Sequence, residues 1–290
     1  MLGSSLALFG GVMMGCVGVA GKFGALAGLS PFQMLAAQVS LLVPVSAAAL
    51  YLRHGSAGFV PVRPWRLVVR TVSGFVYFLS FYASLKGISV ADALVLESTN
   101  PFFAMLITTL LFRERPSGLS VGLALVAFGG VCLILLHHGA QGLLNPYSLL
   151  GLLAGLGRAA GSVATGVAGR SEPPERIIFY YASGMLLFSA VALPFNWHAI
   201  QGTEWWILIA PAILFVPQNL AYTVANRLIP AYLVGALFYS AILVGVVADR
   251  WLWDTEIGVH GLVGTLLVVA AGLGLLVDKR RGPSPKPPVD

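Results

Sequence analysis

Apolar residues along this chain fall into ten runs of about 17 to 25 residues, the length needed to cross a bilayer as a helix. They lie near 3–27, 32–52, 66–86, 91–112, 119–137, 147–169, 176–195, 205–227, 232–251 and 259–277. The polar breaks between them are short. The longest is "RHGSAGFVPVRPWR", and the tail "DKRRGPSPKPPVD" is basic, Pro-rich and expected to be disordered. The pattern predicts an all-α polytopic membrane protein with ten transmembrane helices. The first run holds no charge before Lys22, so it is expected to be a membrane helix and not a cleaved leader.

Composition agrees with this reading. Hydrophobic residues make up 58% and charged residues 10%, and mean hydropathy is +0.87. The two cysteines, Cys16 and Cys132, sit in apolar runs and predict neither a disulfide framework nor a metal site. The net charge of +6 is spread over membrane-flanking loops, which excludes nucleic acid as a partner. With the N-terminus in the cytoplasm, thirteen Lys and Arg residues fall on cytoplasmic segments. Only Lys86 and Arg250 fall outside, and Lys22 and Arg158 lie within spans. The positive-inside rule therefore predicts two cytoplasmic termini, in a plasma membrane of the bacterial inner-membrane type.

The two halves of the chain echo each other. At an offset of 140, Trp65 falls on Trp205, Tyr82 on Tyr222, Ala91 on Ala231 and Glu114 on Asp254. This predicts a first repeat over 1–140 and a second over 141–278, followed by a basic tail over 279–290. Five spans per repeat is an odd number, so the halves are inverted. Inverted repeats with the binding site at their interface are an architecture of secondary transporters.

The segments "GKFGALAGLSPFQMLAAQ" and "YASLKGISVADALVLESTNPFFAMLITTLLFRERPS" make the likeness specific. The chain resembles the drug/metabolite transporter superfamily in its ten-helix EamA-like branch, with Ala91, Pro101 and Glu114 fitting the family pattern. The resemblance implies a metabolite transporter working by alternating access, with export favoured, and it leaves the substrate open. The chain departs from the family at Met14 and Arg158, where Trp is frequent, and at Glu97.

The polar residues stranded in the spans are the candidate site. Glu97 lies about six residues, roughly 9 Å, into span four. Pro101 follows four residues later and cannot donate to the Glu97 carbonyl, so the backbone should break there beside Ser98, Thr99 and Asn100. Glu97 is expected to face a central cavity, where it would bind a cationic group or carry a proton. The alternative is a structural ion pair with Lys22 or Arg158. Arg158 lies on a stripe with Gly151, Gly155, Ser162 and Thr165, and should point inward as an anion clamp or as a packing lock. Lys22 closes the stripe Gly11, Gly15, Gly18 and is read as structural or gating. Ser73, Tyr77, Ser80 and Ser84 on span three are expected to line cavity walls. Gln218, Asn219, Tyr222, Thr223 and Asn226 do the same on span eight. Pro44, Pro211 and Pro217 should bend their helices. Trp65, Trp205, Trp206, Trp251 and Trp253 mark interfaces, and His137 and His138 sit at a boundary.

Three literal motifs lack the right context. "GLSVG" matches G-x-S-x-G but opens a membrane helix. "GLGRAAG" has the wrong glycine spacing for a dinucleotide site. "DRWLWD" lacks histidines for a metal. No P-loop occurs. The expected function is secondary transport of a small, polar, carboxylate-bearing metabolite of amino acid or organic acid type. Substrate would contact Arg158, Glu97, Asn100, Tyr77, Ser80, Asn219, Tyr222 and Ser162, and Glu97, Lys22, Pro101 and Pro217 would couple or gate. No cofactor is expected, protons are a possible coupling ion, and the chain is a monomer or homodimer in the lipid bilayer. The alternatives are a membrane-embedded enzyme or a flippase acting on a lipid-linked substrate.

Overall fold

The computed structural model describes residues 2–113, 117–137, 145–200, 202, 204–228, 237–255 and 258–278. Its helices are α1 (Leu2–Leu26), α2 (Pro31–Ser40), α3 (Leu42–His54), α4 (Pro64–Ser84), α5 (Val90–Glu97), α6 (Asn100–Phe112), α7 (Gly118–His137), α8 (Pro146–Ala168), α9 (Pro174–Ala192), α10 (Glu204–Leu228), α11 (Ser240–Leu252) and α12 (Val259–Asp278). Seven helical segments are long and apolar enough to cross a membrane, among them the joined pairs Pro31–His54 and Val90–Phe112. Shorter apolar helices at Gly118–Leu133 and Val259–Gly274, with α11, complete the expected ten positions. Glu114, Ala231, His138 and the tail 279–290 lie outside the described residues, as do the side chains of His137, Thr223 and Asn226.

Prolines set many of the boundaries. Pro31, Pro64, Pro101, Pro146 and Pro174 stand in the first turn of their helices, where a missing N–H costs nothing. Pro44 and Pro101 each break a span at the residue whose carbonyl they cannot reach. α2 stops at Ser40 and α5 stops at Glu97. By contrast, α10 runs on through Pro211 and Pro217 without interruption.

Numbering the spans one to ten, the principal packing partners are one with eight and nine, three with six and seven, four with six, and two with eight. Spans two and seven, four and nine, and five and ten also pair. Exchanging each span for the one five places away leaves this set unchanged, which is the signature of two related halves. Close approach depends on glycine. A Cβ on Gly157 would sit 2.8 Å from the Tyr77 backbone N, and one on Gly15 would sit 2.9 Å from the Ala241 carbonyl.

The two membrane faces are held differently. Face I carries the connections 55–63 and 169–173. There Glu172 accepts from Arg176 at 2.7 Å and from the Arg63 N–H at 2.6 Å. Arg176 also donates to Gly58 O, Tyr180 to Phe59 O and Arg66 to Val167 O. Face II carries 27–30 and 85–89. Lys22 donates there to the carbonyls of Leu85 at 2.8 Å and Ile88 at 2.7 Å. Asp249 accepts from the N–H groups of Val90 and Ala91 at the start of α5. Gln33 bonds the His198 backbone in both directions. The largest buried side chains, including Leu29, Met34, Leu35, Phe81, Tyr82, Leu85 and Leu94, gather towards face II.

Two stability predictions follow from these contacts. Gly157→Ala should lower the melting temperature in detergent, at a cost of about 1–3 kcal/mol, because the obstructing atom is backbone and cannot yield. For Glu172, burial resists ionisation, but the Arg176 hydrogen bond and the N–H groups of Arg63 and Val62 outweigh it. Its carboxyl therefore titrates below the ordinary carboxylate range. A depressed carboxyl stabilises the fold above its unfolded pKa and loses that contribution as pH falls through the folded value. The melting-temperature gap between the native chain and Glu172→Gln should therefore be widest at neutral pH and close as pH is lowered past the carboxylate range.

Candidate functional site

The break in span four builds the centre of the site. α5 ends at Glu97, and Ser98 and Thr99 turn back to bond Leu94 O at 2.6 Å and Leu96 O at 2.5 Å. The Glu97 carbonyl, orphaned by Pro101, accepts instead from the Asn100 side-chain amide at 3.3 Å. Asn100 thus acts locally, closing the gap that its neighbour opens. Gly155 lets α8 approach this exposed backbone, since a Cβ there would lie 2.9 Å from Leu96 O.

The Glu97 side chain is 1% exposed. Its Oε1 accepts from the Tyr77 hydroxyl at 3.0 Å and is paired with Arg158 Nη1. The Arg158 guanidinium lies 5.7 Å from the Tyr77 ring centre. Spans three, four and six therefore meet in one charged cluster. A lone carboxylate at this depth would be costly, and a guanidinium with a phenol hydroxyl compensates it. Glu97 Oε2 has no hydrogen-bond partner among the described residues. Of the two candidate partners for Glu97, the structure selects Arg158. Lys22 lies elsewhere, holding the 85–88 turn on face II.

Arg158 is 27% exposed. On α8, Leu149, Leu153 and Leu156 form one exposed apolar face. At 100° per residue, Arg158, Ser162 and Thr165 lie on the opposite side. Ser162 and Thr165 are exposed on that side. α10 behaves alike. Ile209, Ile213 and Leu220 form its outward face, while Tyr222, 41% exposed, lies across the helix and packs against Phe238 with ring centres 5.2 Å apart. α6 carries no fully buried residue, and Asn100 is half-buried at its start. These three helices thus carry partly exposed polar side chains on sides turned from their apolar faces, with Arg158 beside the buried Glu97.

Other expected residues are placed differently. Ser80 and Gln218 are buried in the packed interior. Asn219 is half-buried beside Pro217 in the uninterrupted α10. Trp65, Trp205, Trp206 and Trp251 are exposed at helix ends, as an interfacial belt requires, whereas Trp253 stacks on Phe23. Two residues escaped notice in the sequence. Asp249, read as an acid at the outer face, is buried and caps α5. Arg70, counted with the loop charges, lies inside α4, 3.9 Å from the Tyr181 ring centre. Among the described residues, no group of three or more His, Cys, Asp or Glu side chains could hold a metal.

The chain is similar to several known proteins. Residues 1–136 match the EamA-like transporter family. The pseudopaline exporter CntI of Pseudomonas aeruginosa is 26% identical over 218 residues, covering 74% of this chain and 75% of its own. An uncharacterized transporter of Helicobacter pylori is 23% identical over 218 residues, 72% of either chain. The probable transporter vicT of Bipolaris victoriae is 25% identical over 264 residues, covering 83% of this chain and 74% of its own. A solved crystal structure shares the fold, with a TM-score of 0.67 at 18% identity over 96% of this chain and 98% of that one. With a family match over residues 1–136, relatives named for transport and a ten-helix architecture, the chain is a multi-pass membrane transporter that is similar to the EamA-like family.

Proposed function

We propose that this protein is a secondary transporter that moves a small, polar, carboxylate-bearing metabolite across the plasma membrane by alternating access. Its two repeats span 1–140 and 141–278 and both termini are cytoplasmic. The observation that carries the reading is the Glu97–Arg158–Tyr77 cluster, and we place above it, towards face I, a vestibule between α6, α8 and α10. A guanidinium has five N–H donors, and Glu97 engages only part of this set. The exposed part of Arg158 can take a substrate carboxylate. Glu97, with one oxygen unpartnered among the described residues, is the natural proton carrier. Protonation there would release Arg158 and loosen spans three, four and six together. The name of the Pseudomonas relative favours export as the direction.

Packing also supports alternating access. Near face II, span one closes against spans three and four, with Gly18 facing Phe81 and Val90 and Gly21 facing Tyr82. Inversion of the repeats would require matching closure of span six on spans eight and nine near face I. Among the described residues, span six has no packing of comparable extent there. Closure at one face without its counterpart among the described residues at the other is what one state of an alternating cycle would present.

Counterflow in proteoliposomes against a panel of amino acids and organic acids should identify a transported solute. Glu97→Gln and Arg158→Ala should each slow it by about tenfold or more, as expected when a charge-assisted hydrogen bond of about 1.5–3 kcal/mol is lost. Normal transport by both variants would refute the assignment. In a background with Cys16 and Cys132 replaced, Ser162→Cys should react with a membrane-impermeant thiol reagent applied from the cytoplasmic side. It should be protected from the other side, and the reverse result would reject the proposed orientation.

A further inference from the structure

Charge accounting within the bundle points to a second cation at the vestibule. Arg158 is neutralised by Glu97. Arg70 is not neutralised in this way. It lies six residues into α4, on the side of the helix opposite the exposed Val68 and Val72. Its guanidinium lies over the Tyr181 ring, 3.9 Å from the centre, and hydrogen-bonds the Tyr181 hydroxyl. Its Nε is buried without a partner, and among the described residues no carboxylate lies within ion-pair distance of it.

The surroundings are shaped to keep this side chain in place. A Cβ on Gly74 would come within 2.7 Å of Arg70 Nη1, and one on Gly161 within 3.4 Å. Gly161 is a neighbour of Ser162 on α8, three residues beyond Arg158. The two arginines are therefore flanked by one pair of tyrosines, Tyr77 and Tyr181, between spans three, six and seven. A guanidinium removed from water is costly unless an anion compensates it. Arg70 and Arg158 carry two positive charges against the single negative charge of Glu97, so the cluster holds an excess of one. A zwitterion leaves that excess unbalanced, and a solute with a net negative charge removes it.

We infer that Arg70 is a specificity-determining residue of the vestibule, and that it makes the site select net-anionic carboxylates over zwitterions of equal size. This rests on the transport reading above and narrows its substrate class. Glutamate and glutamine separate charge from shape, and succinate adds an acid with no amine. The purified full-length protein should be stabilised against thermal unfolding by L-glutamate and by succinate, and at least about tenfold more weakly by L-glutamine at matched ionic strength. Arg70→Gln should abolish the discrimination. Arg70→Lys, which keeps the charge but not the planar fork, should retain part of it, and this keeps the question answerable if Arg70→Gln folds poorly. Arg250→Gln, an exposed surface change, should leave it intact. Failure to distinguish glutamate from glutamine in the native protein would overturn the inference, as would discrimination that survives Arg70→Gln. Counterflow of some other solute, still sensitive to Glu97→Gln, would show that the transport reading stands while the charge selectivity fails.

Discussion

The buried ion pair between Glu97 and Arg158 is the constraint around which the bundle is arranged. Neither charge is tolerable alone at that depth, and removing one partner of a buried pair typically costs about 3–5 kcal/mol. Each side chain therefore dictates where the other's helix must pass. Glu97 fixes span four against span six, and Tyr77 adds span three by donating to the same oxygen. The small residues of α8 are a consequence of this geometry. Gly155 and Gly157 let the backbone come near enough to α5 and α4 for short polar groups to meet. A bulkier stripe would hold the helices apart and strand the charges.

The same pair depends on a broken helix. An unbroken span four would commit the Glu97 carbonyl to residue 101, and proline makes that impossible. The strain does not spread, because Ser98, Thr99 and Asn100 each satisfy a nearby carbonyl. The result is an upper segment, α5, that is buried at every residue but Asp92 and capped by Asp249, joined to a lower segment, α6, with no fully buried residue. The hinge between them holds the charged cluster. On the proposed reading, a change in the protonation or occupancy of Glu97 would act where the helix of span four is already interrupted.

Much of this could be read in the sequence, and the reasons are local. Pro44 and Pro101 announced their breaks because a missing N–H acts on a residue four positions away. Glu97 and Arg158 stood out because charge is expensive in an apolar run. The choice of Arg158 over Lys22 as partner was not readable, because both lay at plausible depths and only tertiary packing separates them. Lys22 instead meets two loop carbonyls, which have no sequence signature. Arg70 was hidden for a related reason. Arginines near span ends ordinarily extend their heads to the interface, and hydropathy alone cannot show that Tyr181 and two glycines turn this one inward. Asp249 looked like a surface acid until the start of α5 was seen to lie within its reach. Pro211 and Pro217 lie inside α10, which stays one helix across both, so a proline alone does not decide where a span divides.

The asymmetry between the two faces completes the physical picture. Packing that is symmetric in its partners is unequal in its tightness. The aromatic and aliphatic core gathers at face II, while polar side chains of α8 and α10 remain exposed on inward-facing sides towards face I. Both faces tie charged side chains to backbone, face I through Glu172, Arg176 and Arg66 on its connecting loops. Face II does so through Lys22 and Asp249, a cation on carbonyls and an anion on N–H groups, gripping consecutive ends of the same short turn. Both contacts are charged groups on backbone, strong when dry and weak when wetted. If the protein works by the proposed alternating access, such a seal would hold while it excludes water and fail cooperatively once water enters, as a two-state gate requires.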